Sequence, residues 1–149
     1  MKNILLILIF IPACSSKKQV DLSKEAAEEI RKTDIEMSDM AVKEGFHKTL
    51  LLFADENLVK PQDGELPVIG KANLEKYWAS KTETKAISWA PFKTEASRSG
   101  DLGYSLGNWT LAAKDTTYYG NYYTIWKKYP DGHWHFLVDG GNNTPAPAN

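Results

Sequence analysis

Four carboxylates and three phenols in this chain have the types that could move a proton. The acids are Asp34, Asp55, Glu95 and Asp139, and the hydroxyl donors are Tyr104, Tyr122 and Tyr123. A carboxylate base with one or two donors aimed at a developing enolate oxygen is the minimal set for taking a proton from beside a carbonyl. Asp139 and Asp34 are the candidate general bases. Asp139 ends the last strand pattern. Asp34 falls in the middle of an apolar helical stripe, where a carboxylate is either a pocket residue or a hydrogen-bond acceptor for the scaffold. Asp55 reads as a turn cap. Nothing in the spacing ties one acid to one donor, so the residues favour binding over catalysis.

Aromatic residues supply the other kind of site. Trp78, Trp89, Trp109, Tyr122 and Trp126 are the expected walls of a ligand pocket, with Asp139 inside it and His47 at its mouth; plain core packing is the competing reading for each ring. Gly107, Trp109 and Leu111 share one strand face, as do Gly120, Tyr122, Thr124 and Trp126. Several aromatic walls suit a small apolar or planar molecule. The same rings on an outer face would instead make a homodimer contact. His133 and His135 share strand parity with Asp139, a set that could hold a divalent metal. His133 follows the turn glycine into solvent and no third close ligand is evident, so no metal site is expected. No cofactor is expected either: there is no phosphate-binding glycine loop, and no serine sits in a nucleophile-elbow pattern.

The elements that must position these residues centre on Leu102–Asp139. Three runs rich in β-branched and aromatic residues, Leu102–Ala113, Tyr118–Tyr129 and Trp134–Asp139, are separated by Lys114-Asp115 and by Pro130-Asp131-Gly132, the pattern of an antiparallel meander with short loops. Upstream, residues 22–44 predict a helix with Ser23 as N-cap and Ala26, Ile30, Met37 and Ala41 on one stripe, ended by Gly45 as a left-handed cap. A short helix over residues 46–54 turns Leu50, Leu51 and Phe53 inward. A brief strand at residues 57–60 and a turn at residues 62–65 follow. A third helix spans residues 71–80 and buries Leu74, Tyr77 and Trp78. Residues 86–97 predict a long strand in which Pro91 marks a bulge or a sheet edge. The tail from Asn142 is polar and reads as frayed.

Composition sets limits. A chain of 149 residues favours one domain. Its net charge of −1 and pI of about 6.3, with scattered Lys and Arg, exclude a phosphate-backbone footprint, so no nucleic-acid partner is expected. The single cysteine excludes an internal disulfide.

That cysteine stands in a leader. Met1-Lys2-Asn3 is a short basic start, residues 4–11 are continuously apolar, and Ile11-Pro12-Ala13-Cys14 precedes polar Ser15-Ser16-Lys17-Lys18. The apolar run is too short to span a bilayer and has the length of a secretory core segment. A small residue directly before a cysteine at its end resembles the bacterial lipoprotein signal, although Ile11 and Pro12 depart from the usual choices. That resemblance implies cleavage after residue 13 and a lipid on Cys14. Ser15 is not the Asp associated with inner-membrane retention. The expectation is a cell-envelope protein held by its N-terminal lipid, at the outer membrane and facing the periplasm, with a Gram-positive surface as the alternative.

A second resemblance covers nearly the whole remainder. The segment Phe53-Ala54-Asp55-Glu56-Asn57-Leu58-Val59, then Asp63-Gly64 and Pro67-Val68-Ile69-Gly70-Lys71, resembles the first half of the SnoaL-like group. Gly103-Tyr104, Gly107, Trp109, Gly120-Asn121-Tyr122, Trp126-Lys127 and Asp131-Gly132-His133-Trp134 resemble its second half. The group belongs to the nuclear-transport-factor-2-like superfamily, with ketosteroid isomerase as a relative. The resemblance implies an α+β fold in which a curved antiparallel sheet wraps as a cone around three N-terminal helices. It implies no single activity, because members include enzymes, binding proteins and subunits without chemistry. The expected organisation is a signal peptide over residues 1–13, a lipidated tether over 14–21, the cone domain over 22–141 and a flexible tail over 142–149.

Overall fold

The computed structural model describes residues 20–148. The leader, the lipidation site expected at Cys14 and most of the tether lie outside the described residues. Three helices and six strands follow in the order α1 Ser23–Glu44, α2 Phe46–Phe53, β1 Ala54–Gln62, β2 Glu65–Ile69, α3 Lys71–Trp78, β3 Ile87–Ala96, β4 Leu102–Ala112, β5 Thr117–Lys128 and β6 Trp134–Thr144. The strands form one curved, unclosed sheet in the order β2-β1-β6-β5-β4-β3. α1 lies against β3 and β4, so the helices close one face of the sheet.

The α1 stripe is where its spacing puts it: Ala26, Ile30, Met37 and Ala41 are buried, together with Asp34 and Ser38. They meet Leu58 of β1, Trp126 of β5, Phe136 of β6 and the inner sides of α2 and α3, Leu50, Leu74 and Trp78. Full burial of side chains such as Ile30, Leu58 and Phe136 contributes about 1.5–3 kcal/mol each.

Several local expectations are corrected. Ser23 does not cap α1; it is the first helical residue, and Asp21 Oδ1 accepts from its backbone N–H at 3.1 Å and its hydroxyl at 2.7 Å. Gly45 has a positive φ of 115° but an extended ψ of 147°, so it is a corner between two helices and not a left-handed cap. A side chain there would run into Glu83, whose carboxylate accepts from the N–H groups of His47 at 2.9 Å and Lys48 at 3.1 Å. The cap of α2 thus arrives from far along the chain, beyond reach of local sequence reading. Pro91 is as expected: β3 is an edge strand, and its register with β4 shifts between Pro91 and Lys93.

The sheet is mixed and not wholly antiparallel, because β1 runs parallel to β6. β6 is also longer than its sequence pattern. It continues past Asp139 to Thr144, with Asn142 opposite Asn121 and Thr144 opposite Tyr119. A bulge reshapes this strand: Ile125 pairs with Val138 and Trp126 with Phe136, which leaves Leu137 as an extra residue. An extra residue reverses side-chain parity downstream of it. His135 therefore faces the outer side with Lys127, while Asp139 turns to the inner side opposite Thr124.

Candidate functional site

At the end of the sheet where β4 and β6 finish and β5 begins, the helices and the inner sheet face do not meet. They leave a cavity of about 640 Å³. Its apolar walls are Met37 of α1, Phe46 and Leu50 of α2, Ile87 and Trp89 of β3, Trp109 of β4 and Tyr122 of β5. Its polar side is built from the ends of β1 and β6: Lys60, Gln62, Asp63, Asp139, Asn142 and Asn143, with Thr124 beside them.

Two glycines let the aromatic walls lie across the sheet. Gly120 stands opposite Trp109, and a Cβ there would be 2.2 Å from the indole; Gly107 stands opposite Tyr122, and a Cβ there would be 2.3 Å from the phenol ring. Each ring occupies the space its cross-strand neighbour leaves. Trp89 and Trp109 are themselves cross-strand partners and form a continuous apolar wall.

Asp34 sits behind that wall. It is fully buried, and both of its oxygens are taken: Trp89 Nε1–H donates to Oδ1 at 2.8 Å and Tyr122 O–H donates to Oδ2 at 2.7 Å. Ser105 adds a side-chain hydrogen bond and in turn accepts from Trp126 Nε1–H at 3.0 Å. Ser38, one helical turn on, accepts from the Trp89 backbone N–H at 2.8 Å. Burial pushes the Asp34 carboxyl above the usual carboxylate range, against the pull of the Tyr122, Ser105 and Trp89 donors. Burial, followed by the adjacent Asp34 charge, pushes the Tyr122 phenol above its ordinary value. Asp34 holds two cavity walls in place from outside the cavity, which is the scaffold-acceptor alternative rather than the pocket one.

Asp139 lies on the cavity wall itself. Its Oδ2 is paired with Lys60 Nζ and its Oδ1 accepts from Thr124 Oγ1–H at 3.2 Å. Lys60 and Asp139 are 14% and 13% exposed, so the pair is mostly withdrawn from water.

Of the residues singled out by sequence, Trp89, Trp109, Tyr122 and Asp139 come together around the cavity. Three others are placed elsewhere. Trp126 is fully buried in the core, edge-on to Phe136, and its Nε1–H is spent on Ser105. Trp78 is buried under α2, stacked on His47 at 4.7 Å. His47 is therefore spent on that stack and on Glu83, 3.7 Å from its Nδ1, and does not line the cavity. Burial holds its imidazole below the usual value, against the Glu83 charge.

The remaining candidate acids are bonded away from the cavity. Glu95 accepts from Tyr104 at 2.6 Å on the exposed side of β3 and β4. Asp55 accepts from the Asn57 N–H at 2.7 Å and from Tyr129, the turn role expected of it. Among the described residues no group of three metal-ligating side chains converges. Sequence reasoning missed Lys60, Gln62, Ser38 and Ser105. Lys60 had a signal, since it shares strand parity with buried Leu58; the serines had none.

No protein-family model and no curated protein matches the chain. Solved structures do. A candidate ketosteroid isomerase from Parabacteroides distasonis superposes with a TM-score of 0.66 at 14% identity, over 87% of this chain and 98% of its own. A nuclear-transport-factor-2-like protein with a cystatin-like fold from Novosphingobium aromaticivorans gives 0.63 at 15% identity, over 84% and 86%. The CaMKII hub of S. rosetta gives 0.58 at 13% identity, over 79% and 96%. At such identities the likeness is one of architecture, and that architecture is the cone expected from the sequence. The chain has the nuclear-transport-factor-2-like, ketosteroid-isomerase-like fold.

Proposed function

We propose that this chain is a lipid-anchored cell-envelope protein whose cone binds a small, largely apolar, planar molecule. The observation that carries the reading is the open cavity of about 640 Å³ bounded by the Trp89–Trp109 wall of the sheet and by Met37, Phe46 and Leu50 of the helices, with polar groups gathered on one side only. Such a site grips a flat ring system by its faces and orients it by one end. Thermal unfolding of the purified full chain against a panel of small planar compounds tests it. A ligand at 100 times its Kd stabilises by about 2.7 kcal/mol, a rise in Tm of roughly 5–10 °C. At least one compound should give such a rise, and Trp109→Ala should lose it; a panel without effect would refute the reading.

Lipidation of Cys14 supplies the anchor in this proposal, at the outer membrane facing the periplasm. Each buried lipid CH₂ contributes about 0.8 kcal/mol, and no described helix is long and apolar enough to cross a membrane. Cys14→Ala should move the protein to the soluble fraction, whereas unchanged membrane retention would contradict the anchor.

One observation favours a second reading, a proton-transfer enzyme with Asp139 as general base: Asp139 and the Tyr122 phenol line the same cavity. Asp139→Asn would then abolish turnover of a carbonyl substrate but retain binding, and undiminished turnover would end that reading. Homodimerisation through the outer sheet face, where Leu102 and Tyr123 are exposed, completes the proposal and is read by sedimentation.

A further inference from the structure

The cavity opens at one end of the cone, and the chain enters the cone at the other. α1 runs antiparallel to the edge strand β3 along the length of that strand. Before the helix starts, the Leu22 N–H donates to the Arg98 carbonyl at 3.0 Å, just past the end of β3. Further on, Ser38 takes the Trp89 N–H. The last turn lies beside Lys85, whose Nζ donates to the Lys43 carbonyl at 2.5 Å just before β3 begins. The base of the cone thus holds the start of α1 with the β3–β4 and β5–β6 turns, which the Lys128 N–H joins at the Asp101 carbonyl, 2.8 Å away. The mouth holds the end of α1, the β4–β5 turn and the end of β6, where Thr144 pairs with Tyr119. Between cavity and base the cone is filled by Ile30, Leu58, Trp126 and Phe136, all fully buried, so the cavity has no way out through the base.

Lengths decide how an anchored domain can stand. α1 has 22 residues, which at 1.5 Å each separate base from mouth by about 33 Å. β4 has 11 residues and gives about 36 Å over the same span. The expected lipidation site, Cys14, precedes Leu22 by eight residues. In any conformation eight residues span at most about 29 Å. With Cys14 held at the bilayer surface, that reach is shorter than the cone. The domain cannot turn end for end and press its mouth on the membrane. Tilted onto its side, it still opens along the surface into water.

We infer that the short tether keeps the cavity mouth turned away from the bilayer that holds the lipid, so that the site is served from the aqueous compartment and not from within the membrane. The inference rests on the lipid anchor and the ligand site proposed above and adds the route between ligand and site.

Contact quenching in vesicles tests it. The lipid occupies the Cys14 thiol, so Lys24→Cys at the base and Thr116→Cys at the mouth, both exposed positions, each supply one free thiol for a fluorophore. The full chain, made with its leader, is reconstituted into vesicles of phosphatidylethanolamine and phosphatidylglycerol that carry a nitroxide on the headgroup. The label at position 24 should lose most of its emission, and the label at position 116 should keep most of its own. Inserting about twenty Gly-Ser residues after Lys17 lengthens the reach by up to ~66 Å and should bring quenching at position 116 up toward that at position 24. Equal quenching at the two positions with the natural tether, or quenching at position 116 that the insertion leaves unchanged, overturns the inference while the anchor stands. Protein that fails to float with the vesicles overturns the anchor and the inference together and leaves the ligand site untouched.

Discussion

Replacing Asp34 separates its role as scaffold from any role in chemistry. Asp34→Ala removes the acceptor of Trp89 Nε1–H and of Tyr122 O–H, at 2.8 and 2.7 Å, and frees the Ser105 hydroxyl. Ser105 still accepts from Trp126, so it has a partner to turn toward. The other two donors are left beside an apolar cavity. Each buried unpaired donor costs about 1–3 kcal/mol, and losing a desolvated carboxylate offsets part of that. The expected net destabilisation is about 2–4 kcal/mol by urea unfolding with an unchanged m-value. Asp34→Asn keeps an oxygen for Trp89 and places an amide donor opposite the Tyr122 hydroxyl, which can rotate to accept it; its cost should be within about 1 kcal/mol. The pH dependence has a definite sign. The Asp34 carboxyl is raised in the folded state, so its contribution is fully present below the ordinary carboxyl pKa of about 3.9 and is lost as pH rises through the raised folded value. The stability of Asp34→Asn minus that of the parent should therefore be flat at low pH and climb through that window. An alanine variant as stable as the asparagine variant, or a difference that falls with rising pH, would refute the reasoning.

Two further outcomes follow from the cavity walls. Gly120→Ala places a methyl 2.2 Å from both the Trp109 indole and the Asn142 carbonyl, so the strand must shift; a loss of about 1–3 kcal/mol and an altered near-ultraviolet tryptophan signal are expected, and an unperturbed variant would contradict the packing. Lys60→Met leaves Asp139 without its cation and should cost roughly 2 kcal/mol, between the exposed and buried extremes for ion pairs, while Lys60→Met combined with Asp139→Leu should recover most of it. A double variant no better than the single one would show that the pair is not coupled.

Much of the architecture could be read from the chain because its signals are local. The α1 stripe, the Pro91 edge strand and the three runs of the meander depend on periodicity and on turn residues, and each is found close to its expected bounds except the last run, which continues five residues further to Thr144. What escaped is long-range. Gly140-Gly141-Asn142-Asn143 has the composition of a loop, yet it is strand because β5 supplies a partner for every residue. The bulge at Leu137 carries no residue signature, and it alone moves Asp139 from the histidine side to the cavity side. The parity that grouped Asp139 with His133 and His135 was broken by that one extra residue. Alternation placed Trp126 correctly on the inner face, but alternation cannot tell a core position from a cavity wall; what packs over the residue from elsewhere in the chain decides that. Lys60 and Asp139 lie 79 residues apart, and only the parallel junction of β1 with β6 brings them together.

The central claim is that the cavity between the Trp89–Trp109 wall and the helices is a ligand site. Native mass spectrometry of the full chain, purified gently from its own cells, tests this most directly. The account predicts one small, largely apolar molecule per chain that is retained under native conditions and released on unfolding. A bare polypeptide mass, reproducible across preparations and unchanged by added small planar compounds, would contradict it.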